Sequence, residues 1–364
     1  MLRASLARGV SKKSETYVLQ RGGTLLAGRY RVIELLGVGA MGSVWIAEQL
    51  ALKRKVVAKF HEEAFVGAGR RTALTRFMRE ARTLASVHHR NVTELYEVGR
   101  TEAGEPYLIL ELLSGETLAA RMRRDPPMSV AEALSITIAI ASGLEAVHAA
   151  GILHRDVKPE NVFLHVADAE VIPKLLDFGL ARDTGTDKRI TWNGTALGTP
   201  GYMAPEQARG EGDLDRRADL YALGVTLYEM LAGELPFAGE SPMDLLVATT
   251  GDDPTQLSVW RGDLRGPVEN LVMKCIARAR RDRFPDARAM RLALSALLED
   301  VGALAARSKH ASTGRRVPPP VSRASLAKPP PPPRRSSSKV PASRNARTVR
   351  PGKKKSSSRP PRKR

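Results

Sequence analysis

Cys275 is the only cysteine of the 364 residues. No internal disulfide can close, and a reducing compartment, the cytoplasm, is the simpler expectation. Long apolar runs are also missing. The longest, residues 134–152, is interrupted by Ser135, Thr137, Ser142, Glu145 and His148. A bilayer span needs about 18 or more apolar residues with almost no polar ones, so this run reads as a buried helix and no transmembrane segment is expected. Residues 1–26 carry Arg3, Arg8, Lys12, Lys13 and Arg21 without an apolar core, which excludes a secretory signal.

Acidic residues are absent from Arg307 onward, where 19 Lys and Arg stand unopposed. Residues 1–306 hold 39 basic and 39 acidic residues and are formally neutral, so the whole net charge of +19 lies in the tail. That tail, residues 307–364, is built from Pro, Ser, Lys, Arg and Ala. Such a composition buries too little apolar surface to offset chain entropy, and disorder is expected. The plain reading is a solvated tail. The other is a tether to an acidic protein, a nucleic acid or an anionic membrane. No aromatic side chain interleaves the charges, so nucleic-acid binding there would be phosphate-driven and salt-dependent. The five-proline run that starts at Pro329 and ends before Arg334 favours polyproline II and suits an SH3-like groove.

Between a flexible leader (1–27) and this tail, the pattern divides in two. Residues 29–48 read as two strands around a glycine turn, and 55–60 as a third. Residues 71–87 place Leu74, Phe77, Met78, Ala81, Leu84 and Val87 at helical spacing. Residues 92–99 and 106–113 alternate as two further strands. From Ser114 the character becomes helical, with helices predicted over 131–149, 218–232, 267–278 and 287–304. The expectation is an α+β, bilobal architecture: a small five-stranded lobe with one helix (28–113) and a larger, mainly helical lobe (114–306).

The run His154-Arg155-Asp156-Val157-Lys158-Pro159-Glu160-Asn161, followed by Asp177-Phe178-Gly179, carries the chemistry. Moving a phosphoryl group from ATP to a hydroxyl needs a carboxylate to accept the hydroxyl proton, a cation to neutralise the moving phosphate, and oxygen ligands for magnesium. Asp156, Lys158, Asn161 and Asp177 supply those types, and hard oxygens suit Mg2+. Upstream, Gly37-Val38-Gly39-Ala40-Met41-Gly42-Ser43-Val44 lies between two predicted strands, where glycines let backbone amides close over phosphates. Alone that pattern fits an ordinary hairpin. Here it precedes Lys59, a lysine on an apolar strand whose charge needs a partner. Glu80 on the following helix is the candidate.

Taken together, these motifs resemble the signature set by which protein kinases are ordinarily described. The chain resembles eukaryotic-type Ser/Thr protein kinases, of the kind also found in bacteria, over about residues 30–304. The resemblance implies that Asp156 is the base and that Lys158 stabilises charge on the transferred group. It implies that Asn161 and Asp177 hold Mg2+, and that Lys59 holds the α and β phosphates of ATP while pairing with Glu80. Leu36, Val44 and Val57 would roof the adenine pocket and Phe163 floor it. Leu110 would be its gatekeeper, with Glu111 carbonyl and Leu113 amide at the hinge. Leu84 and Phe178 would belong to an apolar column that assembles in active kinases. Lys158, Thr199 and the segment through Glu206 resemble Ser/Thr rather than Tyr kinases, making protein substrates the expected partners. Thr199 would sit beside Asp156 and Lys158, Glu206 would pair with Arg283, and Asp219 would brace the loop.

Arg155 would bind a phosphate on the activation segment, with Thr191 or Thr195 as its autophosphorylation site. Glu160 and Glu229 match positions that favour arginine upstream of the target. Three departures from the family pattern stand out: Arg90 for the usual Pro, Val57 for Ala, and a hairpin near 166–173 about three residues longer. The competing reading is a kinase-shaped scaffold localised by the basic tail. Intact Lys59, Asp156, Asn161 and Asp177 speak against it.

Overall fold

The computed structural model describes residues 22–39, 42–61, 70–178 and 199–313. The leader up to residue 21, Ala40, Met41, Gly179, the proposed autophosphorylation sites Thr191 and Thr195, and the tail from residue 314 lie outside the described residues.

The small lobe is a six-stranded antiparallel sheet of β1 (Leu25–Leu26), β2 (Tyr30–Gly39), β3 (Gly42–Gln49), β4 (Arg54–Phe60), β5 (Leu95–Arg100) and β6 (Pro106–Glu111). Its order is β1-β2-β3-β4-β6-β5. The sixth strand, β1, corrects the expectation of five and of a small lobe beginning at residue 28. Leu26 is 2% exposed and packs into the core beside Tyr30 and Val32. Two residues are too few to show a period, so no alternation announces this strand. In β3 the alternation is plain: Ser43, Trp45 and Ala47 are buried while Val44 and Ile46 are half-buried. Trp45 and Ala47 join Val56, Ala58, Phe60, Tyr107 and Ile109 in one core. Leu108 belongs to a second core with Phe77, Met78, Ala81 and Leu84 of helix α1 (Arg70–Leu84).

Register places the cleft residues. Gly37 pairs with Val44, Val44 with Lys59 and Lys59 with Leu108, giving one rank across four strands. The next rank on that face is Ile46, Val57 and Leu110. Gly42 closes the β2–β3 turn at φ 144°, where an added Cβ would lie 1.9 Å from the Phe60 carbonyl oxygen. Only glycine fits there.

The larger lobe opens with β7 (Gly115–Thr117) and α2 (Leu118–Arg124), then α3 (Val130–Ala149). Ser129 caps α3 by accepting the Glu132 N–H, which satisfies one of the orphan donors of the first turn. By length and composition α3 could cross a membrane, but Leu134, Ile140, Ala141, Leu144 and Val147 are fully buried in the core. It packs against α5 (Arg217–Ala232) and α9 (Ala287–Thr313), as a core helix does. Between α3 and α5 come β8 (Val162–Ala167), β9 (Glu170–Leu175) and the short α4 (Pro205–Ala208); α6 (Pro242–Gly251), α7 (Leu257–Trp260) and α8 (Pro267–Cys275) precede α9. α9 runs to Thr313, so residues 307–313 are helical where disorder was expected. The alanine-rich stretch before them extends a helix already anchored by Met290, Leu294 and Leu297.

Strands β7, β8 and β9 form a separate sheet. The long β8–β9 hairpin turns through Asp168 and Ala169 at φ 48° and 68°, the two-residue left-handed turn that suits the twist of paired strands. Arg90, the residue in place of proline, reaches Glu170 of this hairpin at 2.5 Å. Residues 91–94 lie along β9: Leu175 N–H donates to Asn91 carbonyl (2.9 Å), and Thr93 N–H to Leu175 carbonyl (3.0 Å).

Candidate active site

The loop after α3 is held in place from below. Asp219, in the first turn of α5 and 2% exposed, accepts the N–H groups of His154 (2.9 Å) and Arg155 (2.7 Å) and meets His148 Nε2 at 2.8 Å. Burial pushes the Asp219 carboxyl up, but the His148 hydrogen bond and charge outweigh it and hold the group below the ordinary range. Arg155 adopts φ 62°, a left-handed conformation that costs a non-glycine residue about 1–3 kcal/mol. The two hydrogen bonds from Asp219 flank that turn.

His154 links this loop to the Asp177 segment. Its Nδ1 accepts the Asp156 N–H at 3.3 Å, so Nε2 carries the proton and donates to the Leu176 carbonyl at 2.8 Å. Its ring lies 4.8 Å from that of Phe178. Burial lowers its pKa, which keeps the imidazole neutral. Phe178 in turn belongs to the same buried cluster as Leu84 of α1.

Asp156, Lys158 and Asn161 converge. Asn161 Nδ2 donates to both the carbonyl and Oδ2 of Asp156, each at 2.8 Å. Lys158 Nζ lies 3.3 Å from Asp156 Oδ2 and donates to Thr199 Oγ1 at 2.7 Å. Above them, Lys59 Nζ is 2.5 Å from Asp177 Oδ1. Partial burial pushes Asp177 up, and the Lys59 ammonium overrides it, holding the carboxyl below its usual range. Asp177 thus meets Lys59, a contact to which the sequence motifs alone do not point. Glu80 is half-buried on α1.

The adenine-pocket candidates also assemble. Leu36, Val44, Val57 and Leu110 are half-buried along the cleft face of the sheet, while Phe163 and Leu113 are buried at 4% and 7%. Phe163 pairs with Thr117 on one side and Lys174 on the other. Of the glycine loop, Gly37, Val38, Gly39, Gly42, Ser43 and Val44 are described, on β2 and β3.

Two further arrangements frame the site. Glu206 and Arg283 form a bidentate pair at 2.7 and 2.8 Å, 2% and 0% exposed, with the guanidinium 4.7 Å from the Tyr221 ring centre. Beside the catalytic loop, Glu160, Tyr202, Glu229, Arg123 and Met122 help line a recess of about 280 Å³. Tyr202 donates to Glu229 Oε2 at 2.5 Å, and burial raises the Glu229 pKa.

Three participants escaped the sequence reading. Lys174 bonds Glu111 Oε1 at 2.6 Å. His61 is buried against Phe77 (ring centres 5.0 Å apart), with both ring nitrogens unpartnered among the described residues and its pKa lowered to about 3 by burial and then by Lys59. Tyr202 holds Glu229. A lone Lys, His or Tyr on a strand or loop carries no spacing signal by which it could be found.

The protein kinase domain family matches residues 30–292. The chain belongs to the protein kinase family. Serine/threonine-protein kinase pkn3 of Myxococcus xanthus is 34% identical over 311 residues, 84% of this chain and 56% of that protein. Serine/threonine-protein kinase PknB of Mycobacterium tuberculosis is 35% identical over 272 residues, 73% of this chain and 42% of that protein. The chain thus spans about half the length of the curated relatives it matches. Among solved structures, the PknI kinase domain of Mycobacterium tuberculosis aligns with a TM-score of 0.60 at 29% identity, over 75% of this chain and 96% of that one. The kinase fold is established by these likenesses, and the family uses ATP, typically with Mg2+.

Proposed function

We propose that this chain transfers the γ-phosphoryl group of ATP to Ser and Thr hydroxyls of proteins. The observation that carries the reading is a chain of contacts that links Asn161 to Asp156, Asp156 to Lys158 and Lys158 to Thr199. Asp156 Oδ2 is held by Asn161 and Lys158, which aims the carboxylate as a proton acceptor for an incoming hydroxyl. Lys158 sits between that carboxylate and Thr199 and offers positive charge where a transferred phosphoryl group passes. Lys59 orients phosphates from the small lobe.

The donor set fits magnesium. Asn161 spends its amide nitrogen on Asp156, leaving its oxygen as the acceptor, and Asp177 adds a carboxylate that remains 45% exposed. Among the described residues no cluster of three or more His, Cys, Asp or Glu forms a dedicated cage. Two oxygen ligands suit a Mg2+ shared with ATP phosphates, where the metal supplies charge neutralisation. The names of the relatives, all Ser/Thr kinases, support the choice of hydroxyl. Incubation with γ-labelled ATP and a generic basic protein, followed by phosphoamino-acid analysis, should give phosphoserine or phosphothreonine; phosphotyrosine alone contradicts the assignment.

The recess at Glu160 and Glu229 supports arginine upstream of the target. Ser336 has Arg334 two residues before it, so the tail is itself a substrate of that type. Each phosphate adds about −1.5 to −2 charges, enough for a few to weaken a basic tether to an acidic protein, nucleic acid or anionic membrane. Partner binding that is equal before and after incubation with ATP rules this out. A single cysteine, Cys275, allows no internal disulfide and supports a cytoplasmic setting.

A further inference from the structure

An ion pair that the family motifs do not describe ties the end of β6 to β9. Glu111 ends β6, where the small lobe hands over to the large one, and pairs with Val56 across the sheet. Its carbonyl faces the adenine edge in the reading above, which leaves the carboxylate to be accounted for. That carboxylate is bound twice through Oε1: by Lys174 Nζ at 2.6 Å and by Glu94 N–H at 2.8 Å. Glu111 N–H in turn donates to Glu94 carbonyl at 3.0 Å. The lysine and glutamate side chains are 11% and 15% exposed, so the pair is largely withdrawn from water. Charge pairs of that burial hold their geometry far better than surface pairs.

Lys174 is placed to matter. On β9 it lies directly opposite Phe163, the floor of the adenine pocket, and three residues before Asp177. Its neighbours on that strand are fastened too: Asn91 Nδ2 donates to Pro173 carbonyl (2.8 Å) and Thr93 Oγ1 to Leu175 carbonyl (2.7 Å). One ammonium thus joins the hinge, which reads the adenine edge, to the hairpin that supplies the floor and leads to the metal ligand.

We propose that Lys174, acting through Glu111, is a positioning residue that sets the height of the adenine slot and so tunes ATP affinity and base selectivity. The proposal rests on the hinge and floor assignments of the preceding section. Lys174 touches neither phosphate nor hydroxyl; its effect falls on nucleotide binding, not on transfer. With the ammonium removed, the Glu111 carboxylate keeps only a backbone N–H and the hinge loses its fixed relation to Phe163.

The test uses the full chain with Lys174→Met, Lys174→Arg and Glu111→Gln. Steady-state kinetics with ATP and with ITP, which lacks the 6-amino donor, are combined with direct binding of a fluorescent ADP. Lys174→Met is expected to raise KM for ATP and the ADP Kd about 5- to 30-fold. kcat should stay within about 3-fold, the KM for protein substrate should not move, and ATP-over-ITP selectivity should shrink. Lys174→Arg should restore most of the affinity. Glu111→Gln should behave like Lys174→Met, and answers the question should that variant not fold. Unchanged KM for ATP in both Lys174→Met and Glu111→Gln overturns the proposal while leaving the kinase reading intact. So does an equal rise in the KM for both substrates with a lowered Tm, the mark of a merely structural pair. If the wild type itself does not separate ATP from ITP, the hinge assignment fails first and takes this inference with it.

Discussion

Lys59 and Asp177 stand 118 residues apart in sequence, and their charged atoms lie 2.5 Å from each other. One lies on the rank that begins at the glycine loop; the other follows β9, the strand paired with the one that carries Phe163, the proposed adenine floor. A cation and an anion so placed complement a ligand that is itself an anion bound to a cation. Lys59→Met should lower phosphoryl transfer by about 10²- to 10³-fold, the size expected for losing one preorganised electrostatic contact. The Asp177 pKa should return toward the ordinary carboxylate range, because its depression depends on this ammonium. NMR titration of the Asp177 carboxyl in both proteins checks the second point.

Glu206 and Arg283 join the segment after Thr199 to the far side of the large lobe, with neither charge open to water. Breaking a buried pair by removing one partner costs about 3–5 kcal/mol. Arg283→Met should therefore lower Tm by about 6–20 °C in a domain of this size. Calorimetry with and without saturating nucleotide checks it; a shift under about 2 °C, the least expected for even 1 kcal/mol, contradicts the assignment of a structural pair.

His61 makes acid stability testable. Its pKa falls from the ordinary 6.5 to about 3 in the folded protein. Between those values the unfolded chain binds the proton and the folded one does not. Stability must then drop as pH falls through 6.5, by up to about 1.4 kcal/mol per unit, and the loss saturates near the folded value. His61→Leu should remove this contribution. It should also be neutral to stabilising at neutral pH, since both ring nitrogens are buried without partners among the described residues. Urea unfolding from about pH 7 to about pH 4, inside the window between the two values, compares the two slopes. Identical slopes contradict the prediction.

The proposed catalytic residues are legible because their types and spacing are dictated by the chemistry proposed for them. A base, a cation and an amide within one short loop leave little freedom, and the structure brings Asp156, Lys158, Asn161 and Thr199 together as the motif implies. The lobes were legible because β3 alternates and α1 repeats at helical spacing. What stayed hidden depended on register. β1 has two residues and no period, and the meeting of Lys59 with Asp177, 118 residues away, is made by tertiary packing. Lys174 looks like any strand lysine until β9 lies next to the hinge. The end of α9 is hidden for a different reason: the helix runs on to Thr313, into a stretch whose composition already resembles the proline-rich tail.

The account turns on Asp156 as the group that takes the hydroxyl proton. Phosphoryl transfer and Mg·ATP binding should be measured together in the wild type and in Asp156→Asn, which keeps the shape of the side chain and removes its basicity. The predicted result is nucleotide affinity within about 3-fold of wild type and transfer reduced by about 10²- to 10⁴-fold. Transfer that persists undiminished in Asp156→Asn contradicts the account.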